Sequence, residues 1–456
     1  NETQPDAGAD DIFETFGISL TDRDGSTTTG DLVVQVVDDV PQVEVATDPV
    51  TLQAADGDLG TDPAASFAGL FDIDPGADGA ASTVYALSVE DTASGLTDGA
   101  TGAAIVLSLE GGEIVGRVGA GGAVAFTAAV DAGGAVTLDQ QRVIEHPDGN
   151  GANVAAIVDA AVTLSVTVTD TDGDVVSQET DIGARLQFLD DLPVAEDDTD
   201  SLAASSITPA TGNVITAGPG ADDTGADVAA TVTQITGAGV PSAVPGAGRT
   251  SVAGSYGTLE IAADVSDTYT RDPSTGGGDD DVFTYTLTDA DGDADTATLT
   301  ISIGDAPVAI TGLTSAADGG DASVDESALA DGTDPSADTE VGSGSFTISA
   351  FDGVADLSLT QGGASVTVIT NDTLALGPIT LTSALGSTLE ITGYNAATGE
   401  VNYTYTLSDD ETHPDAGRDD IFETFGISLT DRDGDVSTGD LVVQVLDDIP
   451  VITTDL

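Results

Sequence analysis

One pattern returns four times along the chain and constrains it to paired strands: an apolar-alternating run, Thr-Asp-x-Asp-Gly, a second run, and an acidic residue shortly before Pro. FGISLTDRDG leads to DLVVQVVDDVP ending at Pro41, and LSVTVTDTDGD leads to ARLQFLDDLP ending at Pro193. FTYTLTDADGD leads to ATLTISIGDAP ending at Pro307, and FGISLTDRDGD leads to DLVVQVLDDIP ending at Pro450. The runs have strand period and are rich in Thr, Val, Ile, Phe and Tyr, and each Asp-Gly pair signals a turn between them. The spacing predicts hairpins that close successive domains. Residues 5–41 also return without a gap as residues 414–450, with roughly five in six positions identical. Such near-identity points to recent tandem duplication and to a long array as the parent chain.

The expected division follows from the prolines: residues 1–39 as the C-terminal part of a preceding repeat, then domains at 40–191, 192–305 and 306–448, with 449–456 opening the next repeat. The end of the third domain repeats 1–39. Between the hairpins, Gly-punctuated segments such as GATGAAIVLSLEGGEIVGRVGAGGAVAFTAAV read as short strands broken by turns, and no helical stripe of convincing length occurs. Residues 199–250 and 315–343 read as irregular loops. The fold class expected is all-β, with β-sandwich domains in series. Apolar residues make up 40% of the chain, enough for a core in each. Cysteine is absent and aromatics are only 4%, so those cores are thin and no disulfide compensates.

Something else must hold the chain together, and its charge indicates what. Acids outnumber bases 81 to 8, every base is Arg, and the formal charge is −73. That excludes nucleic acid and anionic membrane as partners. No stretch approaches the roughly 20 apolar residues of a membrane span. Of the acids, 65 are Asp and 16 are Glu, and Asp favours turns and metal loops over strand interiors. Two carboxylates about 4 Å apart repel by about 4 kcal/mol at an effective dielectric near 20, and a bound divalent cation reverses that sign.

The alternate Asp side chains of each turn can converge on one hard cation while Gly supplies the unusual backbone angle. The expected Ca²⁺ ligands are Asp22 and Asp24; Asp170, Asp172 and Asp174; Asp289, Asp291 and Asp293; and Asp431, Asp433 and Asp435. Further oxygens are expected from the acids at the junctions: Asp38 and Asp39, Asp190 and Asp191, Asp447 and Asp448, and Asp305, which stands alone at its junction. The loops open like an EF-hand but lack its bidentate Glu and flanking helices. Two plainer readings stand beside this one: Asp-Gly as an ordinary hairpin turn that needs no metal, and acidity as solvated halophilic charge.

The closing pattern, clearest in GDDDVFTYTLTDADGDADTATLTISI at 278–303, resembles the VCBS, cadherin-like and bacterial Ig-like repeats of giant type I-secreted adhesins of the repeats-in-toxin class. It covers the last 30–40 residues of each domain well and the rest only in style. The resemblance implies Ig-like or cadherin-like sandwiches in an elongated, Ca²⁺-bound extracellular array at a bacterial cell surface. Such an array projects a binding tip for adhesion or biofilm formation. The Gly-rich nonapeptide array usual near the C-terminus of such proteins does not occur in this stretch.

Catalysis has few candidates. The two histidines, His146 in EHPDG and His413 in THPDAG, read as loop residues, since the first copy carries Gln4 where the second carries His413. With no Cys, no Lys, no GxSxG elbow and no zinc-ligand spacing, nucleophilic and transition-metal chemistry are poorly served. Without Trp, a sugar cleft lacks its usual platform. Phe13, Phe16, Phe283, Tyr285, Phe422 and Phe425 are expected in cores, and Arg23 and Arg432 sit at the variable position of the turn. The leading reading is therefore a non-enzymatic structural extender whose partners are calcium ions and neighbouring repeats of the same chain. The alternatives are a carbohydrate- or surface-binding module within the array, at residues 50–160 or 310–400, and a self-assembling filament or surface layer built from like chains.

Overall fold

The computed structural model describes residues 12–37, 39–77, 79–146, 153–216, 221–226, 230–262, 265–290, 292–414 and 419–449. Within them every regular element is a strand or a three-residue 3-10 turn, so the fold is all-β. The chain forms two compact units, one of residues 1–195, 222–232 and 286–296, the other of residues 196–221, 233–285 and 297–456.

In the first unit a six-stranded antiparallel sheet runs in the order Ala64–Ser66, Ala135–Gln140, Val124–Val130, Glu113–Val118, Ala104–Glu110, Ala93–Thr97. Smaller sheets face it, one of Val154–Ala156, Leu186–Leu189 and Leu52–Ala55, another of Val175–Asp181, Val162–Asp170 and Ala80–Val89. Period-two alternation decides what is buried: along Val162–Asp170 it turns Leu164, Val166 and Val168 inward. These side chains share one core with Phe126 and Phe188, whose rings lie 4.9 Å apart. Gly116 permits that packing, because a Cβ there would lie 2.4 Å from the Phe126 ring.

The second unit holds most of a five-stranded sheet, ordered Asp198–Leu202, Ala294–Ile303, Asp280–Thr288, Thr231–Gly237, Val240–Ala243. It also holds a four-stranded sheet of Ala210–Asn213, Ser266–Arg271, Gly257–Ala262 and Arg249–Ala253. Tyr269 and Phe283 meet edge-on between these two, 6.0 Å apart. A second sandwich follows. Its five-stranded sheet is centred on Glu400–Thr406, and its six-stranded sheet on Asp420–Asp431 and Val354–Gln361, with Tyr403, Tyr405, Phe425 and Ile427 in the shared core.

Two expectations are corrected here. Residues 199–250 are not one irregular loop: Asp198–Leu202, Ala210–Asn213, Thr231–Gly237, Val240–Ala243 and the start of Arg249–Ala253 are all paired strands. Residues 315–343 likewise contain Ala322–Asp325, which pairs parallel with Val436–Leu446. These strands are short and rich in Ser, Thr, Gly and Ala, so backbone pairing forms them with little apolar signal.

The second correction concerns the aromatics. Phe283, Tyr285 and Phe425 are buried, but Phe422 is exposed, because residues three apart on a strand point to opposite faces. The duplicated hairpin has one register in both copies, Ile12 opposite Val36 and Ile421 opposite Val445. Yet Phe16 is 51% exposed where its counterpart Phe425 is fully buried, and Phe13 is exposed as well. No second sheet covers the first copy among the described residues.

Candidate metal centres

Each Thr-Asp-x-Asp-Gly turn folds the same way. The first Asp closes a five-residue turn through its backbone N–H, to the carbonyl of Ser26, Asp174, Asp293 or Asp435. Its side chain then caps the turn. Asp170 Oδ1 accepts from the amides of Gly173 and Asp174 at 2.9 and 2.7 Å, Asp289 Oδ1 from Gly292 and Asp293 at 3.0 and 2.7 Å, and Asp431 Oδ1 from Gly434 and Asp435 at 3.0 and 2.8 Å. The glycine has φ of +112° at Gly173, +106° at Gly292 and +105° at Gly434, which an L side chain rarely adopts. One oxygen of the first Asp is thus consumed by the backbone. The other, Oδ2, is buried without a hydrogen-bond partner in Asp170 and Asp431.

Three acids of one turn, Asp170, Asp172 and Asp174, present oxygens within 4.8 Å of one another. At the last turn two such groups share a member: Asp352 with Asp431 and Asp433, and Asp305 with Asp433 and Asp435. Burial and the neighbouring Asp433 push Asp431 up to about 6. Asp305, expected to be the isolated junction acid, is therefore among the best accompanied, and its own carboxyl is raised by burial and by Asp435, Asp433 and Asp352. Asp22 and Asp24 keep the turn geometry but face solvent and join no such group among the described residues. Asp289 and Asp293 keep it too; Asp291, between them, and Asp38 lie outside the described residues.

Strand length corrects the expectation that a hairpin's turn and its own closing acids share an ion. Val436–Leu446 has eleven residues, about 36 Å at about 3.3 Å per residue, so Asp435 and Asp447 stand at opposite ends of it. The turn instead meets the segment between Ala294–Ile303 and Ala309–Thr311. Besides Asp305, Ala306 N donates to Asp352 Oδ2 at 3.0 Å and Gly277 N to Asp433 Oδ2 at 2.8 Å. Two arginines add to this contact. Arg271 forms a buried ion pair with Asp352, and Arg432 bridges the Ser274 carbonyl and Asp372, both at 2.7 Å.

The closing acids gather a different set, which contains both histidines. His146 lies in a loop, as expected, but is buried: its Nε2–H donates to the Phe188 carbonyl at 3.0 Å, leaving Nδ1 3.5 Å from Asp56 and 3.6 Å from Asp190. His413 repeats the arrangement with Glu326 at 3.2 Å and with Asp447 in the same group. Burial opposes its protonation, but Glu326 and the other acids raise its pKa above the usual value. Asp448 accepts from the Thr333 amide and hydroxyl, Asp39 from Ala77 N at 2.8 Å, and Asp191 is raised by burial and by Asp223. Asp56, Glu326, Asp352 and the histidines are absent from the sequence-level ligand set. The only signal for them is that both histidines precede Pro-Asp.

Residues 47–183 match a family described as a domain of unknown function, DUF5801. No curated protein matches the chain. Among solved structures, a protocadherin gammaB7 EC3–6 cis-dimer is 13% identical, with 95% of this chain and 82% of that chain covered and a TM-score of 0.25. Drosophila N-cadherin EC1–4 is 12% identical, with 95% and 83% covered and a TM-score of 0.24. A 1.5-MDa bacterial ice-binding adhesin, studied for host cell surface retention, is 13% identical, with 90% and 99% covered and a TM-score of 0.21. None is an enzyme by its name. Superpositions this loose carry no argument about what this chain binds or joins. No helix among the described residues is long and apolar enough to cross a membrane.

Proposed function

We propose that this chain is part of the extender of a large secreted bacterial surface adhesin, a non-enzymatic series of modules at 40–191, 192–305 and 306–448 whose joints are stiffened by Ca²⁺. On this reading residues 1–39 and 449–456 belong to neighbouring repeats, and the repeats-in-toxin class and type I secretion set the route to the cell surface. One observation carries it: Asp305, beside the linker into the last module, comes together with Asp433 and Asp435 of that module's turn, while Asp433 also joins Asp352 and Asp431. Five carboxylates from both sides of a linker repel one another when bare. A hard cation with six to eight oxygen ligands draws the two sides together. Asp170, Asp172 and Asp174 offer a second such turn, and Asp190 and Asp447 a third kind of group with Asp56 and Glu326.

The test is small-angle scattering of the full chain in calcium and in chelator, with metal analysis of the same samples. Stiffening by calcium predicts several bound ions per chain and a shorter, broader distribution of lengths once they are removed. An unchanged maximum dimension overturns it.

A further inference from the structure

Alternation along Asp198–Leu202 turns Asp198, Asp200 and Leu202 inward and Thr199 and Ser201 outward. Two of the three inward positions of a sandwich strand thus carry carboxylates. From the opposite sheet Asp267 joins them, alternating inward with Tyr269 along Ser266–Arg271 and only 3% exposed. All three line a cavity of about 130 Å³. No basic side chain lines it. Arg249, the nearest cation to act on Asp267, directs its donors to the Glu260 carbonyl and Ser266 Oγ.

The hydrogen bonds around these acids leave specific oxygens over. Asp198 Oδ2 accepts from the Tyr285 hydroxyl at 3.2 Å, and Asp200 Oδ1 from Ser201 N at 2.7 Å. Asp200 Oδ2 is buried without a partner, and so are both oxygens of Asp267. Gly212 keeps room beside them, since a Cβ there would lie 2.9 Å from Asp267 Oδ2. Burial and the Asp200 charge push Asp267 up to about 6. Two carboxylates buried side by side with no basic group lining the cavity are costly to ionise and call for a counter-charge.

We propose that this cavity, between the two sheets of one sandwich, binds a hard divalent cation of the Ca²⁺ class, with Asp200 and Asp267 as its carboxylate ligands and water completing the shell. Oxygen-only donors suit such an ion, and the volume lies well below the about 300–1,000 Å³ of small-molecule sites. None of the turn or junction acids takes part. The site therefore goes beyond the joint-stiffening role and stabilises the fold of the sandwich itself.

Calcium counts, thermal melts and scattering on the full chain, wild type against Asp267→Asn, test the site. The variant is expected to bind one Ca²⁺ fewer per chain and to lose part of the calcium-dependent rise in melting temperature. In chelator it should melt at or above the wild type, because a repelling charge is gone. Its length response to chelator should stay as in the wild type. Asp200→Asn, at a half-buried position, repeats the test should Asp267→Asn fail to fold. An unchanged ion count in the folded variants overturns the proposal, as does a melting response that sodium chloride at equal ionic strength reproduces. A wild-type chain whose length ignores chelator, but whose variant still loses one ion, leaves this site standing and removes the joint reading.

Discussion

Asp98 shows what a carboxylate in this chain needs. Its side chain is fully buried, and Arg142 meets it with two charge-assisted hydrogen bonds, at 2.6 and 2.9 Å, while the Thr101 hydroxyl donates a third at 2.6 Å. The Arg142 hydrogen bonds, against the opposing effect of burial, hold Asp98 below the usual carboxylate range. Removing the guanidinium in Arg142→Gln strands a buried charge and should cost about 3 kcal/mol in a urea melt at pH 7. The sign of the pH dependence follows from the depressed folded pKa: the pair stabilises above the unfolded value of 3.8 and loses that contribution as pH falls through the folded one. The penalty of the variant should therefore shrink in melts below about pH 4, where its stranded carboxyl protonates. An equal penalty at both pH values would remove the ion-pair account. Arg271 serves Asp352 in the same manner, but eight arginines cannot neutralise 81 acids. Where no Arg forms an ion pair, as at Asp170 and Asp267, a cation from solution is the counter-charge that the proposals above invoke.

The hairpin is the element on which turn and metal roles are superimposed, and its oxygens separate them. Asp431 Oδ1 holds the amides of Gly434 and Asp435, while Oδ2 is the oxygen left for an ion. Asp431→Asn keeps the amide acceptor and discards the charge; Asp431→Ala discards both. The Asn variant should therefore melt like wild type in chelator and gain less from calcium, whereas the Ala variant should be about 1 kcal/mol less stable even in chelator. Equal calcium gains in Asn variant and wild type would leave the turn as its own explanation. The turn and its strands were legible in the sequence because Asp-Gly and period-two alternation are local signals. The faces were less so, as Phe422 and Phe425 illustrate: aromatic content marks a strand, but only parity decides which ring enters the core. Asp56, Glu326 and Asp267 were not legible, because nothing local marks an acid whose partners lie about 70 to 135 residues away along the chain. The histidines do lie in loops, as expected, but their burial among acids was not legible for the same reason, their carboxylate neighbours being brought to them by Leu186–Leu189 and by the 3-10 turns at Asp56–Asp58 and Glu326–Ala328.

At the scale of the whole molecule the question is whether a charge of −73 acts as a diffuse field or as addressed sites. A diffuse field is screened by any salt: at about 0.1 M the Debye length is already about 10 Å, and more sodium chloride should stabilise the chain progressively. Addressed sites behave differently, because ligand bound to the folded state stabilises it by RT ln(1 + [L]/Kd) and acts at concentrations too low to alter the ionic strength. Melts at fixed ionic strength, with calcium exchanged for sodium, separate the two. The acids here are grouped at turns, at closing strand ends and inside one sandwich, so millimolar calcium should raise the melting temperature by several degrees at constant ionic strength. Added sodium chloride without calcium should give a smaller, gradual rise. A full response to sodium chloride alone would make the acidity a solvated surface property and leave the clustered aspartates without a common purpose.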